Sequence, residues 1–289
     1  MKKGLIYLTL LLVCSACVKR EKLLIGGPGW PQIAVVDKAS GKMEWTHPLT
    51  PEEECNDVEM TPRGEILYAY KGGARLVTRN HEVVWDYRAG EAEAVYTATR
   101  LASGNYLLAI AGFPMRMVEL DRKGEPVGEV TFRALTKDLT RQFRHILKTP
   151  QNTYLIPLMD KYKIAELDEN GNALKSIYAG CEAVAIVLTE EGNWLVSGGA
   201  SRSIIEIQPE SRDVVQTIET KDLSYGSLLY AGELIRYKNG NTLIANWDGQ
   251  SSEKTQPVLL EIDPNHKVVW RLPYTPEISN ISTVYSFFE

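Results

Sequence analysis

The sequence has 289 residues, of which 44% are hydrophobic and 24% are charged, a composition typical of a soluble globular protein. This balance excludes an intrinsically disordered chain and a protein with many membrane spans. The formal net charge of −5 at pH 7 argues against nucleic acid as a partner, because phosphate backbones attract basic proteins.

The first sixteen residues have the pattern of a secretory signal peptide. A basic start precedes a mainly apolar run over residues 5–13, and the small residues Ser15 and Ala16 follow it. The run is shorter than the roughly 20 apolar residues that a transmembrane helix needs. We therefore predict that residues 1–16 are a cleaved signal and that Cys17 begins the mature chain.

Cys17, with two small residues before it, resembles the lipobox of bacterial lipoproteins, in which this cysteine is lipidated. The resemblance implies a membrane tether over residues 17–21 and not a membrane span. Cys14 stands where the lipobox usually has leucine, so cleavage without lipidation is the alternative. Residues 18–20 lack the acidic cluster that resembles a surface-export tag of Bacteroides-like bacteria. We therefore expect a location in the bacterial cell envelope, facing the periplasm.

One unit recurs six times from residue 22 onward: an apolar strand, a second strand that ends in an acidic residue, a turn, and a third strand. The recurring strand starts are Leu23, Glu65, Asn105, Asn152, Asn193 and Asn241. Such starts, roughly 40 to 50 residues apart, are typical of the four-stranded blades of a propeller. The sequence therefore predicts an all-β fold, a six-bladed β-propeller of four-stranded blades over residues 22–289.

The two ends of the chain complement each other. Residues 22–50 supply only three strands, whereas residues 280–288 form a spare strand after the last complete unit. If this C-terminal strand joins the N-terminal blade as its innermost strand, the ring closes and two free sheet edges disappear. We predict this closure.

Residues 34–45, AVVDKASGKMEW, resemble the tryptophan-docking repeat of quinoprotein-like propellers. The resemblance implies that Trp45 packs between blades, as do Trp85 and Trp270 after related turns. The quinone enzymes of this type generally have eight blades and an adjacent cysteine pair, which this sequence lacks. No cofactor is therefore expected.

Residues 102–108 and 238–244 resemble turns of arylsulfotransferase-like propellers. This resemblance implies the fold, because these turns shape strands and do not contact substrate. The sulfotransferases have a channel histidine in a Glu-x-His motif, and residues 54–56 of this sequence read Glu-Cys-Asn instead. Sulfate transfer is therefore not expected.

The cysteines and histidines point to no catalytic or metal-ligand motif. Cys55 and Cys181 begin innermost strands of the second and fifth blades, which face each other across the ring, so we predict two free, buried thiols. His145, beside Arg144, is the histidine that we expect to face the channel. The others are placed in turns or near a strand end: His47, His81 and His266.

Polar residues at the starts of the innermost strands should meet at one mouth of the channel. They are Glu54, Asn56, Asp57, Glu93, Tyr96, Arg141, Arg144, Glu182, Tyr225 and Asn280. They either pair with one another around water or bind a polar ligand. Four of them offer oxygen ligands for a hard cation such as Ca²⁺: Asn56, Asp57, Glu93 and Glu182. Such an arrangement resembles the axial metal site of six-bladed sugar lactonases.

Trp30 and Trp247, the latter followed by Asp248, lie in loops between second and third strands of neighbouring blades. We expect both rings on the face that carries the channel mouth. Aromatic rings beside polar residues suit a sugar or a flat polar ligand, and packing over the core is the alternative interpretation.

These features favour a monomeric, non-enzymatic propeller lipoprotein that binds a carbohydrate, a small polar ligand or an envelope protein. No serine lies in the sequence context of a nucleophile elbow, so no catalytic residue is predicted. The alternative is a metal-dependent, lactonase-like hydrolase at the propeller axis.

Overall fold

The computed structural model describes residues 19–249 and 255–289, which form 24 β-strands in six four-stranded antiparallel sheets. The predicted signal peptide and Cys17 lie outside the described residues. Helical structure in the described ranges is limited to three short 3₁₀ helices, at Leu139–Arg141, Met159–Lys161 and Thr220–Asp222. Within these ranges, no helix has the length and apolarity that crossing a membrane requires.

The first blade is built from both ends of the chain. From the channel outward it consists of β24 (Thr283–Phe288), β1 (Glu21–Gly26), β2 (Gln32–Asp37) and β3 (Met43–Pro48). β24 pairs antiparallel with β1, from Glu21 opposite Phe288 to Gly26 opposite Thr283. This pairing is the predicted closure by the C-terminal strand, and β1 begins one residue before the predicted start of the propeller.

Each of the other blades is a meander of four consecutive strands. The second blade consists of β4 (Cys55–Met60), β5 (Ile66–Tyr70), β6 (Gly73–Val77) and β7 (Val83–Arg88). The third blade consists of β8 (Ala94–Arg100), β9 (Tyr106–Ala111), β10 (Met115–Leu120) and β11 (Pro126–Phe132). The fourth blade consists of β12 (Leu147–Lys148), β13 (Tyr154–Leu158), β14 (Lys163–Leu167) and β15 (Ala173–Tyr178). The fifth blade consists of β16 (Ala185–Leu188), β17 (Trp194–Ser197), β18 (Ser203–Ile207) and β19 (Val214–Glu219). The sixth blade consists of β20 (Ala231–Arg236), β21 (Thr242–Asn246), β22 (Leu259–Ile262) and β23 (Val268–Leu272).

The hydrophobic core lies between the blades. Middle strands are apolar on both faces, and all six residues of β9, YLLAIA, are buried. Outer strands such as β15 are mostly exposed. Leu24 and Val35 of the first blade pack against Ile66 and Tyr68 of the second. Neighbouring blades therefore adhere mainly by buried apolar side chains, which is the packing mode of face-to-face sheets.

The docking tryptophans connect neighbouring blades as predicted. The indole nitrogen of Trp45 donates to the carbonyl oxygen of Arg79 in the next blade at 2.8 Å. Trp270 of the sixth blade donates in the same way to the carbonyl oxygen of Lys38 in the first blade at 2.9 Å. Trp85 is buried in the core between the second and third blades. The ring is thus joined at its outer side as well as around the channel.

Cys55 and Cys181 are free and buried, which confirms the prediction of two separate thiols. They lie at or just before the innermost strands of the second and fifth blades. Burial raises the pKa of Cys181 to about 12 and raises that of Cys55 further. Both groups therefore stay protonated and unreactive near neutral pH.

Candidate functional site

The innermost strands enclose a channel, and the described residues form a cavity at each end of it. The cavity at the end where these strands start has a volume of about 630 Å³ and is called the mouth cavity. The cavity at the opposite end, the distal cavity, has a volume of about 720 Å³. His145 lines both, so the two cavities approach each other at this residue.

Most of the predicted ligand-binding residues line the mouth cavity. They are Glu54, Asn56, Tyr96, Arg141, Arg144, Glu182, Trp247 and Asn280. Two of them lie at β-bulges: the pairing of β4 with β5 skips Asn56, and the pairing of β8 with β9 skips Tyr96. A bulge redirects a side chain without ending the strand. The innermost strands therefore direct polar groups into the cavity while their neighbours remain in the core.

Arg144 has an incomplete set of partners. Its guanidinium lies 4.2 Å from the ring centre of Tyr96 and donates to the carbonyl oxygen of Phe143 at 3.1 Å. In the described part of the chain, no carboxylate oxygen lies within 4.0 Å of it. Arg141, in contrast, lies 3.6 Å from a carboxylate oxygen of Glu182. The charge of Arg144 is therefore available to an anion in the mouth cavity.

Asn280 lines the same cavity and is held in place by two hydrogen bonds. Its backbone nitrogen donates to Asp248 Oδ1 at 2.7 Å, and its Nδ2 donates to the carbonyl oxygen of Gly29 at 3.0 Å. Its Oδ1 is buried and has no hydrogen-bond partner among the described residues. Trp247 lies edge-on to Tyr230, with 5.4 Å between ring centres. Asp248 is itself buried, so it positions Asn280 and does not line the cavity.

Besides Asp57 and Asp248, three predicted site residues do not line the mouth cavity. Trp30 is buried in the core, and its indole nitrogen donates to the carbonyl oxygen of Glu277 at 3.1 Å. Its ring therefore packs over the core, as in the alternative interpretation of the sequence. Glu93 accepts two hydrogen bonds from Arg116, at 2.8 and 2.9 Å. Tyr225 is exposed beneath the guanidinium of Arg271, 3.9 Å from its ring centre.

The prediction that Tyr225 starts an innermost strand was wrong. β20 begins at Ala231, because a 3₁₀ helix at Thr220–Asp222 and an irregular segment lengthen the connection from the fifth blade. The channel-facing part of the sixth blade therefore contains Gly232 and Glu233. Glu233 was not among the predicted site residues.

Asp57, His145 and Glu233 form a cluster at the centre of the channel, called the axial cluster. One possible ligand atom of each lies within 4.8 Å of the others. Asp57 Oδ1 lies 3.6 Å from His145 Nδ1. All three side chains line the distal cavity, and His145 reaches the mouth cavity as well.

The four residues predicted as oxygen ligands for a hard cation do not form one group. Asp57 belongs to the axial cluster, whereas Asn56 and Glu182 line the mouth cavity. Asn56 also donates from Nδ2 to the carbonyl oxygen of Val95 at 2.9 Å. Glu93 is bound to Arg116. The structure therefore groups Asp57 with a different set of side chains.

The charges of the axial cluster depend on one another. Burial raises the pKa of Glu233 above its usual value. Burial by itself would lower the pKa of His145, but the nearby carboxylates of Glu233 and Asp57 outweigh it and raise this pKa. A proton inside the cluster is thus stabilised by the surrounding negative charge.

The repeat contains a signal for the axial cluster. Each residue of the axial cluster lies nine positions before the first residue of the next strand of its blade. Asp57 precedes Ile66 in this way, His145 precedes Tyr154, and Glu233 precedes Thr242. From the strand starts that the sequence predicts, Glu65, Asn152 and Asn241, the three residues are eight, seven and eight positions back, so this count places the equivalent positions to within one residue. Counting from the start of the innermost strand failed because the connections between blades differ in length.

The fold and these cavities define the class of protein: a six-bladed β-propeller with a polar central channel. Residues 30–267 match the profile of the Mal s 1 allergenic protein-like family, and the chain belongs to this family.

Solved structures agree with this fold. A Bacteroides caccae protein of unknown function is 32% identical, with a TM-score of 0.89 over 93% of this chain and 99% of that chain. An inactive variant of virginiamycin B lyase from Staphylococcus aureus, solved with quinupristin, is 11% identical, with a TM-score of 0.61 over 93% and 96%. The second likeness shows the fold alone.

One curated relative matches part of the chain. A probable cytosol aminopeptidase of Microcystis aeruginosa is 24% identical over 157 residues, which are 54% of this chain. The match spans 31% of the length of that relative, or about a third of it.

Proposed function

We propose that this protein binds a small acidic saccharide in the mouth cavity. The observation that carries the proposal is Arg144, whose guanidinium lies over Tyr96 without a carboxylate partner in the described chain. A guanidinium pairs with carboxylate or sulfate through two parallel hydrogen bonds. An anionic group of the ligand would complete this arrangement.

The remaining lining groups suit the hydroxyl groups of a sugar. The Glu54 side chain lines the cavity and is exposed, so its carboxylate oxygens can accept hydrogen bonds from such hydroxyl groups. Trp247 lines the same cavity and is half-buried, so part of its ring can contact an apolar sugar face. A volume of about 630 Å³ is in the range of small-molecule sites.

Calorimetric titration of the full chain in detergent with glucuronate and a short oligouronate tests this function. We expect binding of the acidic sugars, weaker binding of the matching neutral sugars, and an affinity at least tenfold lower for Arg144→Ala, because an ion pair is lost. Arg271→Ala is the matched control, since Arg271 lies over Tyr225 outside the cavity. Equal affinities of wild type and Arg144→Ala, or no binding, would contradict the proposal.

We further infer that the protein acts as a monomer tethered to a membrane of the bacterial cell envelope through a lipid on Cys17, facing the periplasm. The signal-like residues 1–16 support this inference. In a bacterial host, the wild type should incorporate labelled fatty acid and partition with membranes. Cys17→Ser should do neither, and a labelled Cys17→Ser protein would refute the inference.

A second candidate function is metal-dependent hydrolysis at the propeller axis, which the convergence of Asp57, His145 and Glu233 favours. Assays with lactone and ester panels, with and without added Zn²⁺, distinguish the two functions. Metal-dependent turnover that Asp57→Asn abolishes would support the enzyme. Absence of turnover together with uronate binding would support the binding protein.

A further inference from the structure

We propose that Asp57, His145 and Glu233 bind a divalent transition-metal ion, such as Zn²⁺, at the centre of the channel. These residues come from the second, fourth and sixth blades, so they are evenly distributed around the axis. The equivalent positions of the third and fifth blades, nine residues before Tyr106 and Trp194, carry the small residues Thr97 and Ala185. Long and short side chains thus alternate around the channel and leave space at its centre.

The spacing of the three ligand atoms suits one ion. They lie within 4.8 Å of one another, and Asp57 Oδ1 is 3.6 Å from His145 Nδ1. Zinc bonds to imidazole nitrogen and carboxylate oxygen are about 2.0–2.2 Å long, so ligands of one ion are about 3–4 Å apart. Small side-chain rotations are enough to bring all three atoms onto an ion.

The charge of the axial cluster calls for a cation. Asp57 is buried and Glu233 is mostly buried, yet in the described chain neither carboxylate has a lysine or arginine within 4.0 Å. The hydroxyl of Thr283 faces both, at 2.5 Å from Glu233 Oε2 and 3.3 Å from Asp57 Oδ1, and it has one proton to donate. Buried carboxylates without a positive partner are unfavourable. The nearest positive group among the described residues is the imidazole of His145 in its protonated form, with Nδ1 at 3.6 Å from Asp57 Oδ1. A divalent ion that displaces this proton would balance both carboxylates.

Backbone groups already orient the two carboxylates. Asp57 Oδ2 accepts from the backbone nitrogen of Ala98 at 3.0 Å, which leaves Oδ1 directed towards His145. Glu233 Oε2 accepts from the backbone nitrogen of Val284 at 2.7 Å. Such outer hydrogen bonds fix the direction of metal ligands.

The strands that carry Asp57 and Glu233 pair irregularly with their neighbours next to these residues. The pairing of β20 with β21 shifts register around Glu233, and the pairing of β4 with β5 shifts register next to Asp57. On the other side, the hydroxyl of Thr97 donates to the carbonyl oxygen of Arg144 and accepts from the nitrogen of Ile146. These bonds hold the backbone on both sides of His145.

The donor set indicates the type of ion. One imidazole nitrogen with two carboxylates favours zinc, iron or manganese over calcium, which prefers six or more oxygen ligands. Three protein ligands leave at least one position for water or for a group of a ligand. Because His145 also lines the mouth cavity, that position is near the proposed saccharide site. Metal binding itself does not require saccharide binding.

Titration of the untagged full chain, stripped with a chelator and kept in detergent at pH 8, tests this inference. We expect one Zn²⁺ per chain by calorimetry and a visible absorption spectrum with Co²⁺. Asp57→Asn and Glu233→Gln should each lower the Zn²⁺ affinity at least tenfold, because each removes a charged ligand. Zn²⁺ should also raise the melting temperature of the wild type and not that of either variant.

Two control variants separate this site from other metal-binding groups. Glu59→Gln alters a carboxylate of the same strand that instead accepts from Thr99 and from the backbone of Arg100. His81→Ala removes one member of the His47–His81 pair, whose Nδ1 atoms are 3.0 Å apart. Both controls should keep the affinity of the wild type. Loss of Zn²⁺ binding in His81→Ala, its retention in folded Asp57→Asn and Glu233→Gln, or no stoichiometric binding would overturn the proposal.

Discussion

Single polar residues near the channel divide into those that face a cavity and those that hold the scaffold. Glu93 belongs to the second group, because both of its carboxylate oxygens accept from Arg116 and one also accepts from the backbone of Gly90. Arg116 and then the Gly90 amide hold the pKa of Glu93 below its usual value of 4.5, against the opposing effect of burial. The negative form of Glu93 thus contributes to folding.

This ion pair predicts a pH-dependent effect of Glu93→Gln. A lowered folded-state pKa gives stability that is present above pH 4.5 and is lost as the pH falls. At pH 7 the substitution should reduce the free energy of unfolding by about 1 kcal/mol, since the pair is partly exposed. The difference from wild type should be smaller at pH 3 than at pH 7, as measured by urea denaturation.

Glu54→Gln serves as the comparison for this experiment. Glu54 is exposed at the mouth cavity and forms no ion pair in the described chain, so its replacement should leave stability unchanged at both pH values. Equal unfolding free energies of Glu93→Gln and wild type at pH 7 would refute the structural role of Glu93. Saccharide binding by Glu93→Gln should equal that of wild type.

At the scale of elements, the loop between β1 and β2 packs directly against the chain that leads into β24. A Cβ atom on Gly27 would overlap the carbonyl oxygen of Asn280 and would lie 2.8 Å from the backbone nitrogen of Ser282. Both of these atoms belong to the backbone, so no side-chain rotation relieves the overlap. Glycine is therefore required where the two ends of the chain meet.

Gly27→Ala should accordingly destabilise the protein by about 2 kcal/mol, because closely packed backbone segments must separate. Gly128→Ala is the matched control, since Gly128 lies in β11 and its added Cβ would meet its nearest neighbour, Glu119 Cβ, at 3.8 Å. Chemical denaturation of the two variants measures the difference. Similar stabilities would show that the closing loop tolerates more space than the structure indicates.

At the scale of the whole molecule, the ring is closed by β24. This strand pairs with β1 over its full length, and Arg20 and Glu289 exchange backbone hydrogen bonds beyond it. Thr283, its first residue, also contacts two carboxylates of the axial cluster. One strand therefore completes the sheet, the ring and the centre of the channel.

Deletion of residues 283–289 should abolish cooperative thermal unfolding. The deletion exposes the edge of β1 and uncovers buried residues of β1, which favours aggregation. Glu289→Ala is the control, because it removes the ion pair with Arg79 and keeps the strand. Thermal melting followed by circular dichroism measures both. A truncated chain that melts as sharply as the wild type would contradict closure by β24.

The sequence by itself determined the blade count, the four-stranded blades and the closure of the ring. These features rest on turn residues and apolar strands that repeat along the chain, so they are visible in a linear pattern. The docking roles of Trp45 and Trp270 follow from the same repeat. The residues around Arg144 were also predicted to share one end of the channel, and they line the mouth cavity.

Only the tertiary structure decided which polar side chains share the centre of the channel. Tyr225 was assigned to the wrong strand, and Glu233 was missed, because the irregular connection between the fifth and sixth blades has no repeating pattern. Glu93 and Trp30 were predicted to bind ligand, but Arg116 and the core engage them. The partners of a side chain come from distant segments, and bulges of single residues decide which way it points.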